Sequence, residues 1–165
     1  MKTNTTTCKS GLLTKYLVLT AALTVAFGPH CLRATDSVPF KGSADGAIVS
    51  ASPDPGGLLV TVIADGEATY LGQFSRDEVL VLNPGTGTIA GTIVFTAANG
   101  DQLFGEVTGQ FTSTTTVAGT YTFTGGTGRF ENATGEADFS LTTADLVHFE
   151  VEFAGSLSSV GGNKK

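Results

Sequence analysis

The residues best suited to chemistry lie near the end of the chain. Glu150 and Glu152 are two positions apart in an alternating segment, with His148 just before them. On a β-strand this spacing separates the carboxylates by roughly 6.5 Å, which is compatible with general acid–base catalysis on a sugar or an epoxide. The same alternation puts all three side chains on the polar face of the strand, so a solvated outer surface explains them equally simply.

Arg129 is a second candidate. Between position 40 and the polar C-terminal tail the only other basic residues are Lys41 and Arg76. In an acidic protein Arg129 is expected to pair with a nearby carboxylate, such as Glu131 or Glu136. Alternatively, it anchors an anion at the mouth of a barrel. Arg129 and the two glutamates together form the candidate polar site.

Other chemistries are excluded by residue type. Both cysteines, Cys8 and Cys31, lie near the N-terminus, and His148 is the only histidine after position 34. A Cys–His pair is therefore impossible in the mature domain, and a zinc site lacks ligands. We predict no metal and no cofactor.

The N-terminal 34 residues have the pattern of a secretory signal. Basic residues precede an apolar run from Leu17 to Phe27, and Ala34 is the expected cleavage position. The run is shorter than the roughly 20 apolar residues that a membrane span needs. We predict a secreted or periplasmic protein with a domain at 35–160 and a polar tail at 161–165, not inserted in a membrane after processing.

The charge of the mature chain argues against nucleic-acid binding. Cleavage after Ala34 removes four of the nine basic residues and none of the 15 acidic residues, which leaves a net charge of −10. Such a chain repels a phosphate backbone.

Short alternating segments separated by turn residues predict an all-β domain. The expected strands are Phe40–Ala51, Leu58–Ala64, Glu67–Phe74, Val79–Leu82, Thr88–Thr96, Gln102–Thr108, Thr116–Thr124, Glu136–Leu141 and Val147–Phe153. Asn99-Gly100 is a preferred hairpin turn. About eight such strands indicate a single antiparallel, eight-stranded closed β-barrel, with a β-sandwich as the alternative.

The alternation also predicts which side chains face inward. The inward set is aromatic, and Phe95 is expected to join it: Tyr121, Phe123, Phe139, Phe149 and Phe153. They either fill an ordinary core or line a pocket for an apolar ligand. In the second case Tyr121 would orient the ligand through its hydroxyl group.

A glycine-rich segment between two of these strands is predicted to form a structural corner. Its key positions are Gly125, Gly126, Gly128, Phe130 and Gly135. The glycines supply positive φ or close backbone approach, and Phe130 tucks onto the core.

This corner, GGTGRFENATGEADFSL, resembles one found in dirigent proteins and allene oxide cyclases. The matching positions are Gly125, Gly126, Thr127, Gly128, Phe130, Ala133 and Gly135. The segments 68–74 and 97–101 look like those of uncharacterised secreted bacterial proteins that have the same corner. The resemblance implies an eight-stranded barrel around an apolar cavity. None of the families' catalytic residues can be placed on this chain.

Three functions are compatible with these observations. The favoured one is non-catalytic binding of a small apolar ligand or a protein partner. The others are an isomerase or cyclase similar to allene oxide cyclase, and a structural or surface-assembly protein. A charged or polar group inside the cavity would favour the enzyme. We also predict a homo-oligomer, a trimer or dimer, with Leu80 and Leu82 on an apolar outer patch.

Overall fold

A computed structural model describes residues 37–158. The predicted signal peptide at 1–34 and the polar tail at 161–165 lie outside this range. The strands are β1 (Ser37–Asp54), β2 (Gly57–Ala68), β3 (Gly72–Asn83), β4 (Thr88–Ala97), β5 (Gln102–Phe111), β6 (Thr116–Gly126), β7 (Thr134–Thr143) and β8 (His148–Ser158). One 3₁₀ turn, Gly128–Phe130, lies between β6 and β7. No helix in the described range is long and apolar enough to cross a membrane.

The eight strands form one closed antiparallel barrel. Each strand pairs with the next in sequence, and β8 pairs with β1 to close the sheet. Closure leaves no unpaired edge, which suits strands rich in β-branched residues. The predicted all-β, eight-stranded closed barrel is therefore confirmed, and the sandwich alternative is wrong.

The boundaries of β2 and β3 differ from the expectation. The expected strands leave a gap at Asp65-Gly66, but β2 runs through these residues to Ala68. The turn instead falls at 69–71, where Tyr70 has a φ of 66°. The expected strands Glu67–Phe74 and Val79–Leu82 are consequently wrong as separate elements. Residues 72–83 form one strand because the polar segment Ser75–Glu78 keeps the alternation and pairs on both sides.

The glycine corner closes one end of the barrel. Gly128 has a φ of 56°, in the left-handed region that favours glycine. A side chain there would also collide with Asp101 of the β4–β5 turn. Phe130 is fully buried beneath the corner, so the segment plugs this end of the interior.

The two halves of the interior are filled differently. In the half next to the corner, which we call the packed half, the inward side chains are mostly aromatic: Phe40, Phe74, Phe95, Phe123 and Phe153. The ring of Phe95 has five aromatic neighbours, at centroid distances of 5.3 to 6.4 Å. In the other half, the cavity half, the inward residues are mainly Val, Leu and Ile. These smaller side chains do not meet at the barrel axis.

Candidate functional site

The cavity half encloses a space of about 180 Å³. Of its 18 lining residues, 14 are apolar. The apolar lining residues are Ile48, Val60, Val62, Leu80, Leu82, Ile89, Val107, Phe111, Val117, Phe139, Leu141, Leu146, Val147 and Phe149. The polar lining residues are Arg76, Glu78, Tyr121 and Thr143.

Arg76 and Glu78 point into the barrel because β3 keeps its alternation without a break. Phe74, Arg76, Glu78 and Leu80 are buried, while the residues between them are exposed. On the neighbouring strand β2, small Ala64 lies opposite Arg76. This leaves room for a long side chain inside the barrel.

The two charged side chains and Tyr121 form one buried cluster. Arg76 and Glu78 are only 1% and 5% exposed. Arg76 Nη1 donates a hydrogen bond of 3.0 Å to the Tyr121 hydroxyl oxygen. The guanidinium carbon also lies 5.8 Å from the Tyr121 ring centre and 5.5 Å from that of Phe149, at cation–π distance.

The ion pair itself is close but poorly directed. Arg76 Nε and Glu78 Oε1 are 3.0 Å apart. Neither atom makes an aligned hydrogen bond, and Arg76 Nη2 has no hydrogen-bond partner among residues 37–158. We treat the contact as an ion pair held by proximity. A buried guanidinium therefore retains hydrogen-bonding capacity that the described protein groups do not use.

Burial changes the protonation of this cluster. Desolvation raises the pKa of the Glu78 carboxyl above its ordinary value of 4.5, and the positive charge of Arg76 opposes part of that rise. Desolvation also raises the pKa of the Tyr121 hydroxyl, so this group is neutral and able to donate at physiological pH.

The cavity opens beside the β7–β8 loop. Leu146 and Val147 line the cavity and are 57% and 45% exposed. Thr143 Oγ1 accepts a hydrogen bond from Leu146 N and donates one to the His148 carbonyl oxygen. The Asp145 carboxylate accepts from the backbone N–H groups of Val147 and His148 and contacts His148 Nδ1 at 2.8 Å. These bonds fix the loop at the mouth.

The five aromatic residues predicted to face inward are all buried, but they divide between the halves. Tyr121, Phe139 and Phe149 line the cavity. Phe123 and Phe153 lie in the packed half, where both contact Phe40. Tyr121 stacks on Phe139 with ring centres 4.5 Å apart, which holds the tyrosine in place.

The candidate polar residues lie away from the cavity. Glu150 and Glu152 are exposed on the outer face of β8. Arg129 lies at the opposite end, where its Nε is 3.3 Å from Asp101 Oδ2 and its Nη2 donates to Asn99. Its carboxylate partner is thus in the β4–β5 turn, not Glu131 or Glu136 as expected. The β4–β5 hairpin brings that turn beneath the corner.

Four residues of the cavity wall differ from the sequence-based prediction. Leu80 and Leu82 were expected on an outer patch, but both line the cavity. The prediction does not include Arg76 and Glu78 among the site residues, because the expected strands end at Phe74 and resume at Val79. Continuing the alternation from Phe74 to Leu80 would have placed the charged pair inside.

Comparison with known proteins bears on the fold. The sequence matches no protein-family model and no curated protein. Among solved structures, the chain is similar to the pterocarpan synthase dirigent protein GePTS1, with 14% identity and a TM-score of 0.56 over 78% of this chain and 88% of that one. It is also similar to the pterocarpan synthase dirigent protein PsPTS1, with 14% identity and a TM-score of 0.53 over 76% of this chain and 96% of that one. The barrel of this chain is therefore similar in fold to the dirigent proteins.

Proposed function

We propose that the cavity binds a small, mainly apolar molecule whose one polar group contacts Arg76, Glu78 and Tyr121. One observation carries this proposal. A guanidinium that is 1% exposed lies on the wall of an apolar cavity, and its Nη2 lacks a hydrogen-bond partner in the described range.

The stability of the fold does not by itself account for this buried ion pair. Burying two charges costs several kcal/mol per ion, and apolar residues of similar volume are often as stable or more so. The packed half fills the same barrel with aromatic side chains and no charge. Such unfavourable groups are characteristic of functional sites.

The size of the cavity limits the ligand. An apolar cavity of about 150 Å³ admits benzene. A space of about 180 Å³ therefore fits roughly one ring with a short substituent. The similarity to dirigent barrels supports a binding role for the interior, while the synthase name belongs to those two proteins.

A ligand-capture experiment tests the proposal. The purified protein is incubated with a cell extract and washed, and the retained small molecules are identified by mass spectrometry. Leu80→Trp fills the cavity, and Leu59→Trp adds the same bulk on the outer face of the neighbouring strand β2. We expect a compound retained by the parent and Leu59→Trp but not by Leu80→Trp. No retained compound, or equal retention by all three proteins, would contradict ligand binding in the cavity.

A proton-transfer isomerase or cyclase is the second candidate, and Glu78 is the observation that favours it. A carboxyl with a raised pKa is suited to donate a proton, and Arg76 and Tyr121 would stabilise negative charge that develops on a ligand oxygen. Once a captured ligand is known, Glu78→Gln should bind it but not convert it. If the parent does not convert the ligand, the isomerase or cyclase candidate is wrong and only the binding function remains.

We also propose export from the cytoplasm, on the basis of the basic and apolar pattern in residues 1–34. The intact mass of protein recovered outside the cytoplasm tests this proposal. Mature protein should lack about the first 34 residues. Recovery of the full-length chain there would contradict cleavage.

A further inference from the structure

We propose that the cavity selects neutral ligands with one hydrogen-bond-accepting oxygen, and that Glu78 is the residue that excludes carboxylates. This inference rests on the proposed ligand-binding function. It concerns the chemical class of ligand that Arg76 can accept.

The charge of the cluster argues against an anionic ligand. Arg76 is positively charged at any physiological pH. Among the lining residues in the range 37–158, Glu78 is the only carboxylate, and the Tyr121 hydroxyl stays neutral. Burial raises the pKa of Glu78, but the Arg76 charge 3.0 Å away favours the ionised carboxylate, and the resulting ion pair has no net charge. A ligand carboxylate would then add an unpaired negative charge in a low-dielectric site, which is strongly unfavourable.

The hydrogen bonds of the cluster favour an acceptor oxygen. Tyr121 accepts from Arg76 Nη1, so its own O–H remains able to donate. Arg76 Nη2 is a second donor without a partner in the described part of the chain. The remaining polar wall residue, Thr143, already donates to His148 and accepts from Leu146. Groups that donate and do not accept suit a carbonyl, an ether or a hydroxyl oxygen.

Three probes of equal size separate charge from hydrogen bonding. Acetophenone, benzoate and α-methylstyrene each have a phenyl ring and about nine non-hydrogen atoms, which fits the cavity. The first offers a neutral acceptor oxygen, the second a carboxylate and the third no polar group. Titration calorimetry at pH 7 gives their dissociation constants under one set of conditions.

For the parent protein we expect acetophenone to bind about tenfold or more tightly than benzoate, because only benzoate brings an unpaired charge. Acetophenone should also bind several-fold more tightly than α-methylstyrene, since its oxygen satisfies the free donors. In Glu78→Gln a neutral amide replaces the carboxylate beside Arg76. Benzoate should then gain about tenfold or more, with acetophenone changing far less.

The outcomes distinguish the inference from the function on which it rests. If none of the probes binds the parent at millimolar concentration, the ligand-binding function fails and the inference with it. If α-methylstyrene and acetophenone bind but benzoate binds as tightly, only the inference fails. If folded Glu78→Gln binds benzoate no more tightly than the parent does, the inference also fails while the ligand-binding function stands.

Two further measurements test the inference even if Glu78→Gln folds poorly. The preference of the parent among the three probes is measured without any variant. Tyr121→Phe keeps the ring and removes the donor, so it should weaken acetophenone several-fold and leave α-methylstyrene unchanged. Equal losses for both probes would overturn the role given to the donors.

Discussion

The packed half and the cavity half of this barrel are built from the same eight strands. In both halves the residues alternate between inside and outside, but the inward side chains differ in size and polarity. Strand β3 crosses both: Phe74 packs among aromatic rings, Arg76 and Glu78 lie at the boundary, and Leu80 lines the cavity. Side-chain volume along one strand thus decides whether the barrel interior is filled or leaves a cavity.

The largest predicted effect is on the packed half. Phe95→Ala should lower the free energy of unfolding by about 3–5 kcal/mol, since it removes a fully buried ring from a close-packed cluster. Phe149→Ala is the matched change on the cavity wall, and it should cost about 1–3 kcal/mol less because the site already borders empty space. Urea unfolding of both variants measures the difference. Equal losses would mean that the halves are packed alike.

Gly128→Val tests the corner that closes the packed half. A β-branched residue at a φ of 56° should cost at least about 1–3 kcal/mol, and its side chain would also displace Asp101. Gly128→Asn meets Asp101 as well but tolerates the left-handed region, so it should cost less. Thermal melts of both variants measure this. A Gly128→Val protein that melts within a degree of the parent would refute this account of the corner.

The buried pair at the boundary should give a pH signature. Burial raises the pKa of Glu78, so the folded protein binds a proton that the unfolded chain releases at the same pH. Stability from this group is fully present below the ordinary pKa of 4.5 and is lost as pH rises through the raised value. Lowering the pH through this window should therefore stabilise the parent relative to Glu78→Gln. A constant difference between the two proteins would contradict the raised pKa.

Asp145 at the mouth should behave in the opposite way. The hydrogen bonds from His148 and Val147 lower the pKa of its carboxyl. Its contribution is present above the ordinary pKa of an aspartate and is lost as pH falls below it. The difference in melting temperature between the parent and Asp145→Asn should accordingly shrink in acid. A difference that grows in acid would show that the loop is held in another way.

The outer surfaces also differ. Val49, Leu59, Ile63 and Val79 are exposed on β1, β2 and β3, whereas β8 carries exposed carboxylates such as Glu152. Burial of these exposed apolar side chains against a second copy of the chain would favour association. We expect self-association that Ile63→Lys weakens and Glu152→Lys does not. Light scattering that gives a monomer mass for the parent across micromolar concentrations would contradict this.

Much of the fold could be predicted from the sequence because alternation is a local signal. Residues 116–124 and 136–141 alternate cleanly, and both lie within strands of the barrel. The cluster at Arg76 and Glu78 could not be predicted from polarity, since charged residues normally mark a surface or a loop. Alternation that continues from Phe74 to Leu80, with pairing to β2 and β4, places these charges inside.

Alternation predicts whether a side chain faces inward or outward, but not how far along the barrel axis it lies. The division into a packed half and a cavity half could therefore not be predicted from it. Tyr121 and Phe123 share one face of β6, yet the first lines the cavity and the second packs under the corner. Depth depends on the register between strands, which the sequence pattern alone does not supply.

Xenon binding in a crystal tests the division of the barrel interior, since xenon occupies apolar cavities and not close-packed cores. We expect xenon density beside Leu80, Val117 and Phe139, and none among Phe40, Phe95 and Phe153. Xenon within the aromatic cluster, or no xenon between Leu80 and Phe139, would contradict the division of the barrel into a packed half and a cavity half.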